Sequence, residues 1–535
     1  MPIPAKVRFT LGALVFALVV FHCFFTGLDR CGFLGPDEPR YASIARDMAL
    51  TGDWVTPRLN GVAWFEKPPL YYWSAAIGFR LFSSPEIAAR TPSGVFALCA
   101  VLVLAFLAKR LNGASTAFAV AMMLPATVGM MGFARAAATD MPFAACLTLA
   151  MCASAYLLLE DAPAYPRICS AAFGVVLALA VLAKGPAAIL LVGGSTALWA
   201  VASGNIARTF RLLRPTATLS FLAVVLPWYW QCAERNPDFL RVFFLEHNVD
   251  RFLTNRYQHQ QPFWFFLPIL LLAVFPWTLL LVPAVADGWH ALRKTAWRKS
   301  PSVFFVSWVL FPLVFFSASQ SKLPGYILPA VPPLVLLLAR AISHDQDITP
   351  PARRTHLLWV ALAFAALGFG FLLRDTFTVG PRSAATLAYV QGLSQPLTLV
   401  GMSLLVGGLA VAAISKLQDS ALGLSIAAFT FSFAVGIAAN HVLPVLDRDI
   451  SPRQLAFAAR KLAPNAPLAV HNLPRAWQYG VEFYLERTLP EWSPEMPRPV
   501  WVLTSQKGSL DLPRGSTPSP GTPPVYGGAT IVRVE

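Results

Sequence analysis

Apolar runs long enough to cross a lipid bilayer recur along most of this chain, and this repetition leaves few folds open. Inside hydrocarbon every backbone N–H and C=O group needs a partner within the protein, so only helices and closed β-barrels span a membrane. The runs are continuous instead of alternating between apolar and polar residues, which favours helices. The composition agrees, since 56% of the 535 residues are hydrophobic and only 13% are charged. We therefore predict a polytopic α-helical membrane protein.

The apolar runs predict about 13 transmembrane helices. The first run follows Lys6 and Arg8 and lacks the small-residue cleavage site of a signal peptide, so we interpret it as a retained helix. Only Ala183, Lys184 and Gly185 separate the fifth run from the sixth. The predicted spans are residues 9–27, 91–108, 114–132, 141–158, 168–183, 186–203, 215–231, 263–284, 302–318, 326–341, 356–373, 396–415 and 421–440.

Cations are concentrated in every second short loop, and the positive-inside rule assigns that set to the cytoplasm. The N-terminus is then cytoplasmic, and two long charged loops, 28–90 and 232–262, lie outside. The formal net charge of +15 follows largely from this topology, so it does not indicate nucleic-acid binding. The basic set is Lys6, Arg8, Lys109, Arg110, Arg167, Arg208, Arg211, Arg214, Arg293, Lys294, Arg298, Lys299, Arg340, Arg353, Arg354 and Lys416, whereas the alternate short loops hold little beyond Arg135, Lys184 and Lys322.

The composition becomes less apolar after about residue 445, which predicts a division into two domains. Residues 1–444 form the transmembrane domain, and residues 445–535 form a small α/β domain outside the membrane. In the second domain, RQLAFAARKL after Ser451 and Pro452 predicts a helix. PLAVHNL, VEFYLE, PVWVLT and ATIVRVE predict short strands, and the segment 509–528, rich in proline and glycine, predicts a loop.

The seven cysteines are scattered and show no spacing typical of a metal site. Five of them lie in or beside apolar runs, where a cysteine usually acts as a small core residue. Cys31 and Cys232 fall in predicted external loops. Whether they pair stays open, because spacing alone does not define a disulfide.

The first external loop concentrates charge, beginning with Asp37, Glu38, Pro39 and Arg40. The simple interpretation is a helix start, with acids near the positive helix end and proline in the first turn. The apolar stripe that follows predicts a helix lying along the membrane surface. The functional interpretation is compatible with this one: Asp37 is then an exposed, rigidly held carboxylate close to lipid headgroups.

Two further acids belong to the same external face. Glu66 and Lys67 lie between an aromatic cluster and Pro68, which holds Lys67 in an extended segment. They form either an ordinary surface pair or a contact to phosphate or metal. Asp140 ends the short loop ARAAATDM, where it either caps the next helix or faces the first loop.

Further cations face the same side, against the positive-inside trend. Lys184 lies in LAKGP, and Lys322 lies four residues before Tyr326 in SQSKLPGY. Each lysine taken alone fits a side chain that snorkels to the interface. As a set they indicate a phosphate-binding surface, because lysine and arginine are the usual phosphate partners.

The loop 232–262 carries His247 together with a further set of charged residues. His247 and a carboxylate such as Glu66 are candidates to hold a divalent ion, zinc or magnesium or manganese. A solvated histidine is the alternative, since no strong metal-binding spacing is present. The other charged residues of this loop are Glu246, Asp250, Arg251, Arg256 and His259.

The stretch DEPRYASIARDMALTGDWVTPRLNGVAWFEKPPLYYW resembles the first external loop of the bacterial aminoarabinose transferases that modify lipid A. These enzymes belong to the GT-C group, as do the protein O-mannosyltransferases. The resemblance continues through ARAAATDM, LAKGP, EHNVDRF and SKLPGYILP. It covers the first 340 residues by motif, and the remainder only in layout.

The resemblance implies a GT-C fold and transfer of a sugar, 4-amino-4-deoxy-L-arabinose, from undecaprenyl phosphate to lipid A or a related acceptor. It implies no nucleotide, and it places the enzyme in the bacterial inner membrane with its site and C-terminal domain in the periplasm. By position, Asp37 and Asp140 are similar to the catalytic acids, and Glu66 and His247 to a metal pair. Contacts to the lipid phosphate correspond to Lys67, Lys184 and Tyr326. The charges of Arg40 and Lys322 make these two residues further candidates for phosphate binding.

One position departs from the family, because Trp64 stands where many members have tyrosine. An indole offers only an N–H donor. The chemistry of the acceptor also stays open. A hydroxyl acceptor needs a base, for which Asp37 is the candidate. A phosphate acceptor is already anionic, and Asp37 would then orient a substrate.

Three other functions remain as alternatives. A transferase of the same architecture would glycosylate protein or another glycan. A flippase or transporter would show internal repeats and charges within the spans, and the sequence shows neither clearly. A non-catalytic envelope scaffold would not need the three external acids.

Overall fold

The computed structural model describes residues 5–250, 260–293, 297–343, 350–374, 384–416, 419–463, 466–505, 507–513, 517–518 and 527–535. Within these ranges seven helices are long and apolar enough to cross a membrane, and three further candidates are pairs of helices that meet at a bend. Three shorter apolar helices complete the set, Phe9–Phe25, Ala187–Ser203 and Ser302–Ala318. These segments follow the predicted spans in order. The number of membrane crossings itself stays a prediction.

The helices of the first half are α1 (Ala5–Val20), α2 (Asp37–Thr51), α3 (Leu70–Leu81), α4 (Pro85–Asn112), α5 (Ala114–Met123), α6 (Val128–Ala134), α7 (Asp140–Leu159), α8 (Pro166–Lys184), α9 (Ala187–Ser203), α10 (Ile206–Thr209), α11 (Pro215–Arg235) and α12 (Arg241–Asp250). A turn of wider π-type helix, Phe21–Phe25, extends α1. A two-residue hairpin, β1 (Arg58–Leu59) with β2 (Val62–Ala63), lies between α2 and α3. The fifth and sixth predicted spans are separate helices, since α8 ends at Lys184 and α9 begins at Ala187.

The second half continues with α13 (Phe266–Ala273), α14 (Leu281–Leu292), α15 (Ser302–Ala318), α16 (Val331–Ser343), α17 (Pro350–Leu373), α18 (Ala384–Ser415), α19 (Ser420–Ile437), α20 (Leu443–Ile450), α21 (Arg453–Leu462) and α22 (Arg475–Leu485). The strands are β3 (Leu468–His471), β4 (Val500–Ser505), β5 (Thr517–Pro518) and β6 (Ala529–Val534). They form one sheet of order β3-β4-β6-β5, in which β3 and β4 are parallel and the other pairs antiparallel. The region predicted as a small α/β domain thus contains the helix and three of the four strands expected from sequence.

Two sequence predictions in this domain are wrong. VEFYLE lies in the last turns of helix α22 and at its end, not in a strand. Its apolar residues are too few to separate a period of two from a helical period, and Pro474 immediately before Arg475 is a helix-start signal. The short strand β5 lies inside the segment 509–528 that was predicted as loop. It forms because β6 offers an edge with which to pair.

The first long loop, which was predicted to be external, is tied to the helical bundle by a buried ion pair between Glu38 and Arg90. Glu38 is 6% exposed and Arg90 5%. Arg90 donates two hydrogen bonds to the Glu38 carboxylate, at 3.0 and 2.6 Å. It also donates to the carbonyl oxygens of Leu28, Cys31 and Gly32. A buried charge pair is tolerated only when its polar atoms are satisfied in this way.

The C-terminal domain packs directly on the first loop. The buried Asp447 carboxylate accepts from the Gly32 backbone N–H at 2.7 Å. Arg453 forms ion pairs with Asp447 at 2.9 Å and with Glu86 at 3.2 Å. The Tyr484 hydroxyl donates to Glu86 at 2.8 Å. This polar network surrounds an apolar cluster that joins α2 and α3 to α21 and α22.

The cysteines of the two external loops carry free thiols, Cys31 and Cys232, and both are buried. Cys31 lies beside Asp447 and Arg90, whereas the Cys232 thiol is near Asn236. The disulfide that the sequence left open is therefore not formed in this structure.

Replacing Glu38 by alanine should lower the free energy of unfolding by about 3–5 kcal/mol, because it leaves Arg90 buried without a counterion. Denaturant unfolding of the purified protein in detergent, followed by tryptophan fluorescence, measures this. The matched control is Glu486→Ala. It removes a carboxylate that is 71% exposed and lies 3.8 Å from Arg46, which should cost less than about 1 kcal/mol. Equal losses in the two variants would contradict the role given to the buried pair.

Candidate functional site

The first group of candidate residues surrounds Arg40. Asp37 and Arg40 lie in the first turn of α2, where their side chains form an ion pair. The other amino group of Arg40, Nη1, lies 3.2 Å from Glu66 Oε2. Lys67 Nζ lies 3.5 Å from Glu66 Oε1. The structure therefore brings four of the predicted residues into one cluster, although Glu66 and Lys67 come from a separate segment of the loop.

Aromatic rings enclose the Arg40 guanidinium. The ring centres of Tyr41, Trp64 and Tyr479 lie 5.5, 5.5 and 5.7 Å from its central carbon. Burial alone would lower the pKa of Arg40, but the charges of Glu66 and Asp37 and the Tyr41 ring outweigh it and raise that pKa above its usual value. Tyr479 belongs to α22, so the C-terminal domain contributes a side chain to this cluster.

Exposure separates Asp37 from its neighbours. Its side chain is 48% exposed, whereas those of Arg40 and Glu66 are 13% and 11% exposed. The helix begins at Asp37, with Pro36 preceding it and no side-chain cap. Asp37 is therefore not the cap that the simple interpretation expected. It is the carboxylate of this cluster that solvent or a substrate reaches most easily.

The second group of candidate residues surrounds Asp140. Lys184 Nζ, at the end of α8, lies 2.6 Å from Asp140 Oδ1. It also lies 4.8 Å from the centre of the Tyr326 ring. Asp140 opens α7 without capping it, since its carboxylate is directed to Lys184 and no side-chain cap is formed at Thr139. Three predicted residues from three distant segments therefore meet here.

Gly325 allows the segment of Tyr326 to lie close to Asp140. A Cβ atom at Gly325 would lie 2.4 Å from Asp140 Oδ1, closer than any real contact. The segment that carries Tyr326 approaches Asp140 so closely only because residue 325 has no side chain.

Lys322 lies in the same segment and is buried, with 7% exposure. Its ammonium group donates to the carbonyl oxygen of Ser319 at 2.5 Å. Among the residues that the structure describes, Lys322 has no carboxylate within ion-pair distance. It thus differs from Lys67 and Lys184, each of which pairs with an acid.

Glu38 connects the two groups, and the sequence interpretation did not include it in the site. Its Oε1 accepts from the backbone N–H of Ala137 at 2.7 Å, and its Oε2 accepts from Leu34. Ala137 lies three residues before Asp140, and Glu38 follows Asp37 directly. Both groups therefore lie at the same end of the bundle, and their role in the site stays a prediction.

A signal for Glu38 was present in the sequence. Glu38 shares a helical face with buried Tyr41, Ala42 and Ala45, at the spacing that defines one side of a helix. An acid on the apolar face of a helix implies a buried partner. No comparable signal exists for Tyr479, because it is distant in sequence from every other residue of the site.

His247 lies in α12, and its side chain is partly exposed. Both oxygens of Glu66, its proposed partner in metal binding, face cations. No group of three or more His, Cys, Asp or Glu side chains suited to a metal ion occurs in the described portion of the chain. The metal pair of Glu66 and His247 stays a prediction. Arg251, Arg256 and His259 lie outside the described residues.

Comparison with known proteins identifies the architecture. Residues 10–243 match the model of the dolichyl-phosphate-mannose-protein mannosyltransferase family. The structure is similar over 99% of this chain to the crystal structure of ArnT from Cupriavidus metallidurans bound to undecaprenyl phosphate. That match covers 98% of the ArnT chain, with a TM-score of 0.81 and 23% sequence identity.

Curated relatives are similar in sequence over a shorter region. The undecaprenyl phosphate-α-4-amino-4-deoxy-L-arabinose arabinosyl transferase of Pseudomonas aeruginosa (strain UCBPP-PA14) is 34% identical over 360 residues, 65% of this chain and 63% of the relative. The Yersinia enterocolitica enzyme of the same name is 36% identical over 308 residues, 57% of this chain and 54% of the relative. The chain is thus similar in sequence to aminoarabinose transferases over these stretches, and its fold is similar to that of ArnT. The sequence match spans less than two thirds of the length of these relatives.

The close approach at Gly325 predicts the effect of adding one methyl group. Gly325→Ala should lower the free energy of unfolding by about 1–3 kcal/mol, since Asp140 must move to admit the new atom. The control is Gly132→Ala in α6, where an added Cβ has no neighbour within 4 Å. That variant should be as stable as the unchanged protein or slightly more stable. Unfolding in detergent compares the two, and equal stability would show that residue 325 tolerates a side chain.

Proposed function

We propose that this chain is a membrane glycosyltransferase that moves 4-amino-4-deoxy-L-arabinose from undecaprenyl phosphate to a lipid A-type acceptor. The names of the curated relatives support the donor and the sugar. The observation that carries the proposal is the convergence of acids and cations from separate segments at one end of an apolar bundle. Such a surface suits a reaction between two lipid-linked substrates that meet at the edge of the bilayer.

The charge balance of the site favours an anionic ligand. The predicted site has four cations and three acids. Arg40, Lys67 and Lys184 pair with the acids Asp37, Glu66 and Asp140, and Lys322 is the fourth cation. One positive charge therefore remains. Lys322 carries it without a carboxylate partner among the described residues, so it is available to a phosphate group.

In the proposed reaction the bond between the anomeric carbon and the donor phosphate oxygen breaks. Its electron pair leaves with the polyprenyl phosphate, and an acceptor oxygen forms the new bond to the sugar carbon. Cations already fixed near the departing phosphate stabilise the negative charge that develops there. We assign this role to Lys67, Lys184 and Lys322, and Tyr326 lies beside Lys184.

Asp37 is the acid that a substrate reaches most easily. Arg40 holds its carboxylate in place. If the acceptor is a hydroxyl group, Asp37 takes its proton. If the acceptor is a phosphate, Asp37 orients the acceptor or the amino group of the sugar. Asp140 orients Lys184 and lies beside the cations that we assign to the donor phosphate.

A divalent ion, zinc or magnesium or manganese, stays part of the hypothesis through Glu66 and His247. Glu66 would first have to release Arg40 and Lys67, whose charges its oxygens already face. The donors described in this structure do not fit a complete metal site, so no step of the proposed reaction depends on a metal.

We place the protein in the bacterial inner membrane with a cytoplasmic N-terminus and with the site and C-terminal domain in the periplasm. The distribution of short-loop cations supports this orientation. The direct packing of the C-terminal domain on the first loop supports a common side for both. Membrane lipids surround the bundle, and the donor tail would lie among them.

The second candidate is glycosylation of a protein or another glycan by the same site. The match of residues 10–243 to a protein mannosyltransferase family favours it. The acceptor distinguishes the two candidates, because protein O-mannosylation would add a hexose mass to envelope proteins and leave lipid A unchanged.

The lipid A mass spectrum of cells with and without this protein tests the proposal. We expect an added aminopentose mass that requires the protein. Asp37→Asn should reduce the transfer rate by about 10²–10⁴-fold if Asp37 is the base. The matched control is Asp29→Asn, an exposed acid of the same loop. Absence of the aminopentose mass would refute the proposed function, and wild-type turnover in Asp37→Asn would remove Asp37 from the chemistry.

Loss of a phosphate contact should appear as weaker donor use. Lys67→Ala and Lys322→Ala should each raise the KM for undecaprenyl phosphate-linked sugar by about 10–100-fold, since hydrogen bonds to charged groups contribute about 1.5–3 kcal/mol. Initial rates in detergent with varied donor measure this, and exposed Lys461→Ala is the control. An unchanged KM in either variant would exclude that lysine from donor binding.

A further inference from the structure

Arg135 is a cation of the site region that the proposed reaction does not use. It follows α6 and opens the loop that ends at Asp140. Its side chain is partly buried. Burial, followed by the positive charge of Arg90, lowers the pKa of Arg135 to about 10. The group is still charged at neutral pH, but its surroundings disfavour the charge.

Arg135 lacks the carboxylate that most cations at this end of the bundle have. Its hydrogen bond goes from Nη1 to the carbonyl oxygen of His22 at 3.4 Å, and the described part of the chain offers it no ion pair. By contrast, Arg40, Arg90 and Lys184 each contact an acid. A guanidinium has five N–H donors. Within the described residues, one hydrogen bond from Arg135 to a protein acceptor is found. A partly buried cation in this state is suited to an anion from outside the protein.

Arg135 and Asp140 face different sides of their loop. Asp140 contacts Lys184 of α8 and lies next to Gly325, on the side of the cations assigned to the donor. Arg135 contacts His22, in the π-type extension of α1. The middle of the loop is fixed to the bundle, since Ala136 O accepts from Ser93 and the Ala137 N–H donates to Glu38. The two ends of the loop therefore contact different segments of the chain.

His22, which Arg135 contacts, lies at the apolar surface of the bundle. The His22 ring packs against Phe21 and Phe433, with ring centres 5.9 and 6.1 Å away. These phenylalanines are 54% and 43% exposed, as expected for side chains that contact acyl chains. A ligand that reaches Arg135 by this route therefore carries an anionic headgroup on an apolar tail.

We propose that Arg135 binds a phosphate of the glycolipid acceptor, at a position separate from the cations that bind the donor phosphate. This inference rests on the proposed transfer between two lipid-linked substrates. Guanidinium binds phosphate through paired N–H donors, and the fixed loop would hold that phosphate at a constant distance from Asp37 and Asp140. The loop would thus separate two anionic lipids that repel each other until they react.

Binding of purified lipid A to the full-length protein in detergent, without donor, tests the inference by native mass spectrometry. We expect Arg135→Gln to weaken lipid A binding by about tenfold or more, the loss typical of a charged hydrogen bond. Binding of undecaprenyl phosphate should stay unchanged. Arg135→Lys should recover part of the affinity, because it keeps the charge. Exposed Arg30→Gln, at the same end of the protein, is the control.

Three results would overturn the inference. If the Arg135→Gln variant binds lipid A as tightly as the unchanged protein does, no lipid A phosphate binds at Arg135. An equal loss of undecaprenyl phosphate binding assigns Arg135 to the donor. Competition by phosphatidylglycerol as strong as that by lipid A assigns it to bulk phospholipid. Failure of the proposed function is distinguishable, since it appears as absence of sugar transfer by the unchanged protein and not as a difference between variants.

Discussion

The buried pair of Glu38 and Arg90 is the interaction on which the site depends. Taking two charges out of water is costly, and the cost is offset here because their donors and acceptors are bonded. The Glu38 carboxylate holds the start of α2 and the loop before Asp140. The Arg90 guanidinium holds the path of the chain from Leu28 to Gly32. The buried pair also accounts for the exposure of Asp37, since the residue next to a buried glutamate on this helix faces outward. A carboxylate held this rigidly at an exposed helix start is a suitable partner for a lipid-linked substrate.

The pairing of charges divides the cations of the proposed site into two sets. Arg40, Lys67 and Lys184 are held by acids, so they keep a defined geometry when no substrate is bound. Lys322 and Arg135 contact only carbonyl oxygens within the described residues. Arg40, Lys67 and Lys184 therefore form a fixed framework. Lys322 and Arg135 leave positive charge for phosphate. Because these two cations lie on different segments, the arrangement suits two anionic substrates better than one.

The C-terminal domain is part of the site's architecture. Asp447, Arg453 and Tyr484 bond to the first loop, and Tyr479 covers Arg40. If the C-terminal domain acted only as a scaffold, it would not need to place an aromatic ring against a residue of the charged cluster. The packing also explains why VEFYLE is helical. Its Val481, Phe483 and Tyr484 are buried, and the apolar cluster that they join contains residues of α2 and α3, so partners distant in sequence decide the conformation of this short segment.

The sequence by itself determined the helical membrane fold and the order of the apolar helices, and it predicted the external side of the charged loops and most of the candidate residues. Long apolar runs and dense local charge are properties of neighbouring residues, and they can be recognised without knowing what packs against them. Only the tertiary structure decided which charges pair, that Asp140 holds Lys184 instead of capping α7, that Glu38 joins the two groups, and that Tyr479 and Arg135 border them. These facts depend on contacts between segments as much as 440 positions apart, and helical periodicity carries no information about which distant faces meet.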